Sequence, residues 1–237
     1  MDKRRLLSYT RRAVDDYSMI KSGDKIAVGI SGGKDSLTLL VALNELKRFY
    51  PEKFELEAIS VDLGFGNIDF SRIAEFCDSL NVSYSVAKTD ISQIVFEERA
   101  EKNPCSLCAK MRKGALNSLA KEHDCNKTAF GHHRDDIIET MLLSLIFEGR
   151  FYSFAPVTYL DRMDITLIRP LMYVPEADII GFCNKFDIPV LKNTCPVDGE
   201  TKRQYAKELL AQLNRDHPGA KDRMFTAILE SVNSYRQ

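Results

Sequence analysis

Six residues, Ser31-Gly32-Gly33-Lys34-Asp35-Ser36, constrain this chain more than any others. They follow directly on an apolar run, Ile26-Ala27-Val28-Gly29-Ile30. A short strand that feeds a glycine-rich turn and then a helix aims backbone N–H groups at an anion, usually a phosphate. Two common phosphate loops are excluded by spacing. Gly29, Gly32 and Gly33 do not form Gly-x-Gly-x-x-Gly, and a Walker loop needs glycine at Val28 and serine or threonine at Asp35. What remains is Ser-Gly-Gly-x-Asp-Ser. Its glycines permit close approach of phosphate oxygens, Ser31 and Ser36 add hydroxyl donors, and Lys34 adds a cation. Asp35 is out of place beside a phosphate unless a divalent cation lies between them, which points to magnesium bridging a polyphosphate.

The rest of the chain repeats the strand–helix alternation. Strands are predicted at 25–30, 54–61, 82–87, 126–130 and 165–168. Helices are predicted at 3–20, 34–48, 69–80, 91–99, 108–123, 135–148, 175–186, 201–214 and 220–234. Segment 150–164 is less regular, with no element assigned to it, and 187–199 reads as a loop. This order predicts an α/β fold with a doubly wound, mostly parallel sheet and additional N- and C-terminal helices. The near-continuous apolar strand Ile26–Ile30 fits burial on both faces. The expected organisation is a basic N-terminal helix at 1–24, a nucleotide-binding domain at 25–200 and a helical segment at 201–237.

Bulk properties narrow the class. With 237 residues and 44% hydrophobic content, the chain can bury one sizeable core. No stretch reaches the ~18 apolar residues of a membrane span, and the charged start lacks a signal-peptide core, so a cytoplasmic protein with no membrane partner is expected. The formal net charge of −1 rules out a polycation, so a nucleic acid would need local basic patches. Two candidates stand out. One carries Lys3, Arg4, Arg5, Arg11, Arg12 and Lys21; the other carries Arg99, Lys102, Lys110, Arg112, Lys113 and Lys121.

Six cysteines in such a chain argue against a disulfide framework. Cys77, Cys125 and Cys183 lie in or beside apolar elements and read as structural. Pro104-Cys105-Ser106-Leu107-Cys108 is a C-x-x-C pair at a turn entering a helix, and Cys195 sits in the later loop Asn193-Thr194-Cys195-Pro196. Loops at the strand carboxyl ends converge over one crevice, so Cys195 can meet the pair. Three readings stay open on spacing: an iron–sulfur cluster with one iron unclaimed by protein, zinc with His132 or His133 as a fourth ligand, or catalytic thiols carrying a persulfide. The turn Phe130-Gly131-His132-His133-Arg134-Asp135-Asp136 follows the 126–130 strand, and Asp62 ends the second strand; both stand where site residues gather in this architecture.

The loop Ser31–Ser36 resembles that of the PP-loop ATP pyrophosphatases. Ser60-Val61-Asp62, Pro104-Cys105-x-x-Cys108, Met111-Arg112-Lys113, Gly131-His132-His133-Arg134-Asp135-Asp136 and Cys195 sharpen the resemblance to the TtcA-type tRNA 2-thiocytidine synthetases, over roughly residues 5–215. The resemblance implies the adenine nucleotide alpha-hydrolase-like fold, with ATP, magnesium and a [4Fe-4S] cluster as cofactors. It implies that Ser31, Gly32, Gly33, Lys34, Asp35 and Ser36, with Asp62 and Gly131, bind the nucleotide, and that Asp35 faces magnesium. Cys105, Cys108 and Cys195 become the expected cluster ligands; Lys34, Asp35, Asp62, Arg112, His132 and Asp136 become the expected catalytic set. The implied reaction adenylates the C2 carbonyl oxygen of a cytidine in a tRNA anticodon loop and replaces it with sulfur, releasing AMP and pyrophosphate. The implied partners are tRNA, a sulfide or persulfide donor and a second copy in a homodimer. The basic residues around the C-x-x-C pair would then meet RNA phosphates. A cluster-dependent thiolase acting on uridine or a small molecule, a zinc-bearing adenylating enzyme and a non-catalytic ATP- and cluster-binding sensor are the rival readings.

Overall fold

The computed structural model describes residues 1–66, 68–99, 104–191 and 202–234. Six strands form one sheet: β1 (Lys25–Ile30), β2 (Glu55–Asp62), β3 (Ser83–Lys88), β4 (Lys127–Ala129), β5 (Val157–Leu160) and β6 (Ile165–Ile168). Their spatial order is β3-β2-β1-β4-β6-β5. All neighbours pair in parallel except β5 and β6. The strand order therefore reverses between β1 and β4, and that reversal opens a crevice at their carboxyl ends.

β1 shows why its apolar run is continuous. Ile26, Val28 and Ile30 enter the larger core cluster, while Ala27 enters a second cluster with Ile59, Leu116, Ala120 and Ile165. The larger cluster lies under α1 (Lys3–Asp16), α2 (Lys34–Lys47), α5 (Arg134–Glu148) and α6 (Glu176–Lys185). The second lies under α4 (Pro104–Glu122). Gly29 lets α4 sit close, since a Cβ there would lie 3.3 Å from Leu116. Helices α3 (Ser71–Ser79), α7 (Lys202–Asp216) and α8 (Ala220–Ser234), with a π-helical turn at Gln93–Glu98, complete the described elements.

Two expectations differ from the structure. The 150–164 segment does hold an element: β5 adds an antiparallel edge there, a short strand whose residues are half-buried or exposed. And α4 begins at Pro104, not at 108. Proline at a helix start loses no hydrogen bond that the helix needs, so Pro104 opens the helix it was expected to precede. The cysteine pair thus occupies the first turns of a 19-residue helix.

α1 is capped by Asp2, whose Oδ1 accepts from the Arg5 N–H at 2.8 Å. Its basic residues are largely neutralised by carboxylates: Lys3 by Glu45 (2.7 Å), Arg5 by Asp178 (2.9 Å), Arg11 by Asp15 (3.3 Å) and Arg12 by Asp16 (3.5 Å). On α4, Lys110 and Arg112 are exposed and make no ion pair among the described residues.

Candidate active site

The glycine-rich loop is built as its sequence requires. Gly32 takes φ +78°, a conformation that disfavours any side chain, and its carbonyl accepts from the Leu191 N–H at 2.9 Å. The Ser31 N–H donates to Ser36 Oγ (3.1 Å), Ser36 Oγ donates to the Gly33 carbonyl (3.0 Å), and the Gly33 N–H donates to Ser31 Oγ (3.3 Å). Gly33 begins α2 without a side-chain cap, which leaves the first-turn amides for a ligand.

The histidine turn presses against this loop. A Cβ on Gly131 would stand 2.8 Å from the Asp35 carbonyl carbon and 3.0 Å from the Ser36 nitrogen. His133 is the N-cap of α5: its Nδ1 accepts from the Asp136 N–H (3.3 Å), while Asp136 Oδ2 accepts from the His133 N–H (3.0 Å). That bond makes Nδ1 the acceptor and puts the ring proton on Nε2, which faces Asp35 Oδ1 at 3.6 Å and Asp136 Oδ2 at 3.5 Å. Asp35 Oδ1 is itself buried with no hydrogen-bond partner. His132 points elsewhere. Its ring stacks on Phe154 (centroids 4.4 Å apart) and Phe130 (5.9 Å), and its Nδ1 is buried without a partner. Burial, with Arg169 next in effect, pushes the imidazole down to about 3, so the ring is neutral at physiological pH.

A chain of charges binds the loop and the turn to the C-terminal helices. Lys34 Nζ lies 3.0 Å from Asp35 Oδ2 and 3.2 Å from Glu176 Oε1, the first residue of α6. Burial alone would lower Lys34, but Asp35 and then Glu176 outweigh it and hold the ammonium above its ordinary value. Glu176 Oε1 also meets Lys207 of α7 at 2.7 Å, and the Glu176 N–H donates to Asp135 Oδ2 at 2.8 Å. Asp135, buried, pairs with Lys221 of α8 at 2.7 Å. Arg203 of α7 reaches Asp136 (3.0 Å) and the buried Glu139 (3.6 Å). Burial, then the neighbouring Asp136, raises the Glu139 carboxyl to about 7 despite Arg203.

Of the residues expected from sequence, the loop 31–36, Gly131 and Asp136 come together here. Asp62 ends the neighbouring strand, where its Oδ1 accepts from the Gly64 N–H at 3.0 Å. Arg112 is exposed on α4 with no ion pair among the described residues. Cys105 is exposed and Cys108 half-buried, three residues apart at the start of α4; Cys195 lies outside the described residues. The three cysteines read as structural are buried, and burial raises the thiols of Cys77 and Cys125 to about 11. Glu176, Glu139, Arg203, Lys207 and Lys221 were not expected. Only Glu176 had a local signal, directly after Pro175 at a helix start.

The donor set decides what can bind. First-turn amides of a 14-residue helix, two serine hydroxyls and Lys34 form a polyphosphate cradle, and the orphaned Asp35 Oδ1 suits a hard cation such as magnesium. Two thiols on one helix turn, at the positive end of the helix dipole, suit one side of an anionic iron–sulfur cluster.

Comparison with known proteins gives the family. A family model for the PP-loop domain matches residues 4–212. The tRNA-cytidine(32) 2-sulfurtransferase of Citrifermentans bemidjiense is 40% identical over 227 residues, covering 94% of this chain and 89% of its own. That of Geotalea daltonii is 41% identical over 228 residues, covering 95% and 90%. Among solved structures, the U34-tRNA thiolase NcsA from Methanococcus maripaludis with its [4Fe-4S] cluster superposes with a TM-score of 0.77 at 25% identity, over 98% of this chain and 80% of that one. The NH3-dependent NAD synthetase from Campylobacter jejuni (TM-score 0.52, 15% identity, 98% and 94% covered) shares the fold alone.

Proposed function

We propose a working site for a chain that belongs to the PP-loop ATP pyrophosphatases and, within them, to the TtcA-type tRNA 2-thiocytidine synthetases. It is an ATP-dependent tRNA sulfurtransferase that converts cytidine 32 to 2-thiocytidine with ATP and an iron–sulfur cluster. The observation that carries the site assignment is the contact of the Ser31–Ser36 loop with the Gly131–Asp136 turn at the β1/β4 reversal.

ATP lies with its phosphates on the α2 amides, Ser31 and Ser36, and Lys34 counters charge on the departing pyrophosphate. Asp35 holds magnesium; its buried, unpartnered Oδ1 supports that role. The C2 oxygen of the cytidine attacks the α-phosphorus and pyrophosphate leaves. Sulfur then adds at C2, and the oxygen departs with AMP. His132, neutral and stacked, is suited to orienting the base and carries no charge of its own. Asp136 fixes His133 over Asp35, and Asp62 shapes the neighbouring turn. Arg112 serves the incoming RNA from the exposed face of α4, which its lack of a carboxylate partner among the described residues favours. Cys105, Cys108 and Cys195 hold the [4Fe-4S] cluster, which when bound supplies the sulfur-carrying centre. The sulfur source is sulfide, or a persulfide whose S–S bond a second thiol then cleaves, leaving the thiocarbonyl and a disulfide. The proposed domain runs from 25 to 200, between the basic N-terminal helix and the C-terminal helical segment, in a cytoplasmic homodimer. No described helix is long and apolar enough to cross a membrane.

The test is anaerobic incubation with ATP, magnesium, sulfide and unmodified tRNA, followed by nucleoside mass spectrometry and iron and sulfide analysis. Formation of 2-thiocytidine with AMP, by protein carrying iron and sulfide in equal amounts, is expected. Zinc in place of iron, or AMP release with no sulfur-containing nucleoside, would overturn the reading.

A further inference from the structure

Arg169 follows β6 at the carboxyl end of the sheet, one strand beyond the histidine turn. The register places it beside that turn: Ala129 pairs with Ile168, and the Phe130 N–H donates to the Ile168 carbonyl at 3.1 Å. The two chains therefore leave the sheet together, one into Gly131-His132 and the other into Arg169. Arg169 is only 7% exposed, yet no carboxylate lies within ion-pair distance among the described residues. Nη1 donates to the Ala155 carbonyl at 2.5 Å and more weakly to Thr158 Oγ1 at 3.4 Å. Nε is buried with no partner. The guanidinium carbon lies 5.1 Å from the Phe154 ring centroid, and Phe154 in turn stacks on His132.

A second cation lies on the same side of the sheet: Lys113 precedes Leu116 by one turn of α4, Leu116 packs with Phe130 and Ile165, and strand alternation puts Arg169 on the face of Ile165. Lys113, half-buried on α4 and two turns beyond Cys105, is held below its ordinary value by burial and then by repulsion from Arg169. Taking two neighbouring cations out of water without a counter-charge is costly, and such groups are normally paired. The missing partner is an anion. On the reading above, the anions that enter this crevice are phosphates.

We propose that Arg169 and Lys113 form a phosphate-binding pocket beside the stacked His132, between the C-x-x-C helix and the carboxyl end of β6. The inference rests on the thiolation reading for the identity of its ligand. The oxyanion comes from one of two sources, the RNA backbone next to the target cytidine or the α-phosphate carried onto its C2 oxygen. Arg169 offers a directional N–H donor and Lys113 a point charge, as phosphate sites commonly combine.

Arg169→Gln, Arg169→Lys and Lys113→Gln separate these cases. RNA affinity is read with an unmodified anticodon stem-loop at several salt concentrations, without ATP. ATP affinity is read by calorimetry without RNA, and AMP formation with both present. If the pocket takes the RNA backbone, Arg169→Gln weakens RNA binding about 10-fold and lowers the slope of log affinity against log salt by ~0.7–0.9, with ATP affinity unchanged. Lys113→Gln lowers the slope similarly, and Arg169→Lys restores part of the loss. If it takes the α-phosphate, RNA binding and its slope are unchanged while AMP formation falls by about 10-fold or more. Either result supports the pocket. Folded variants with unaltered RNA affinity, salt slope and AMP formation overturn it. Should Arg169→Gln fail to fold, Lys113→Gln, on a half-buried helix face, decides alone. Wild-type protein that binds RNA with the full slope yet makes no 2-thiocytidine would refute the thiolation reading and leave the pocket standing.

Discussion

Gly131→Ala is the sharpest perturbation available at the site. The added Cβ would lie 2.8 Å from the Asp35 carbonyl carbon, 2.9 Å from its oxygen and 3.0 Å from the Ser36 nitrogen. Ordinary carbon contacts are about 3.5–4.0 Å, so the turn and the loop must separate by roughly 0.7 Å or more. The obstacle is backbone, and backbone in the first turn of a helix cannot rotate aside. Overpacking of this kind costs about 1–3 kcal/mol, and displacement of a positioning group by ~1 Å can cost ~100-fold in rate. The variant should therefore unfold at lower urea with an unchanged slope, and form AMP about 100-fold more slowly while keeping its helical circular dichroism. Gly114→Ala is the control. It lies mid-helix in α4, where a Cβ would meet nothing within 4 Å. There alanine should stabilise by about 0.5–1 kcal/mol. If Gly131→Ala matches wild type within about 0.5 kcal/mol and releases AMP at the normal rate, the contact between turn and loop does not matter as argued.

Two further outcomes follow from the charges. The Glu139 carboxyl, raised from 4.5 to about 7 mainly by burial, contributes stability that is present at acidic pH and lost as pH rises through 7. Glu139→Gln removes that loss, so its unfolding free energy should gain on wild type by up to about 3 kcal/mol between pH 5 and 8; parallel pH profiles in urea titrations would sink the argument. Asp35→Asn keeps the side chain's shape but not its charge. Magnesium should then improve ATP affinity about 10-fold less than in wild type, with metal-free affinity unchanged or tighter, as measured by calorimetry with and without the ion. An undiminished magnesium effect would remove Asp35 from the metal site.

Much of the fold was legible because parallel strands buried on both faces write continuous apolar runs, as Ile26–Ile30 does. β5 was not, since a four-residue antiparallel edge strand with half-exposed residues lacks that run. Pro104 misled in the other direction: it reads as a breaker, whereas at a helix start it is an opener. The phosphate loop and the histidine turn were legible because the whole motif is local. The residues that hold them were not. Arg203 meets Asp136 across 67 residues and Lys221 meets Asp135 across 86, separations at which a charged residue looks like any other solvated one. Arg169 was hidden by its neighbour, because Pro170 explained the end of a strand and left the arginine without a reason.

The ties from α7 and α8 to Asp135, Asp136, Glu139 and Glu176 have a consequence for how the molecule opens. The sheet core is sealed by apolar packing, but Asp135, Asp136 and Glu176 are held by three cations carried by the last two helices. These helices add only Ala206, Leu210, Phe225 and Ile228 to the buried core and lie outside the sheet, so they open at lower free energy than the central strands they flank. Slow exchange of amide hydrogens should therefore persist in β1, β2 and β4 under conditions where α7 and α8 already exchange. Activity would vanish at that first opening, well before the global transition, so the temperature at which turnover stops and the temperature at which the chain unfolds are two different properties of this enzyme.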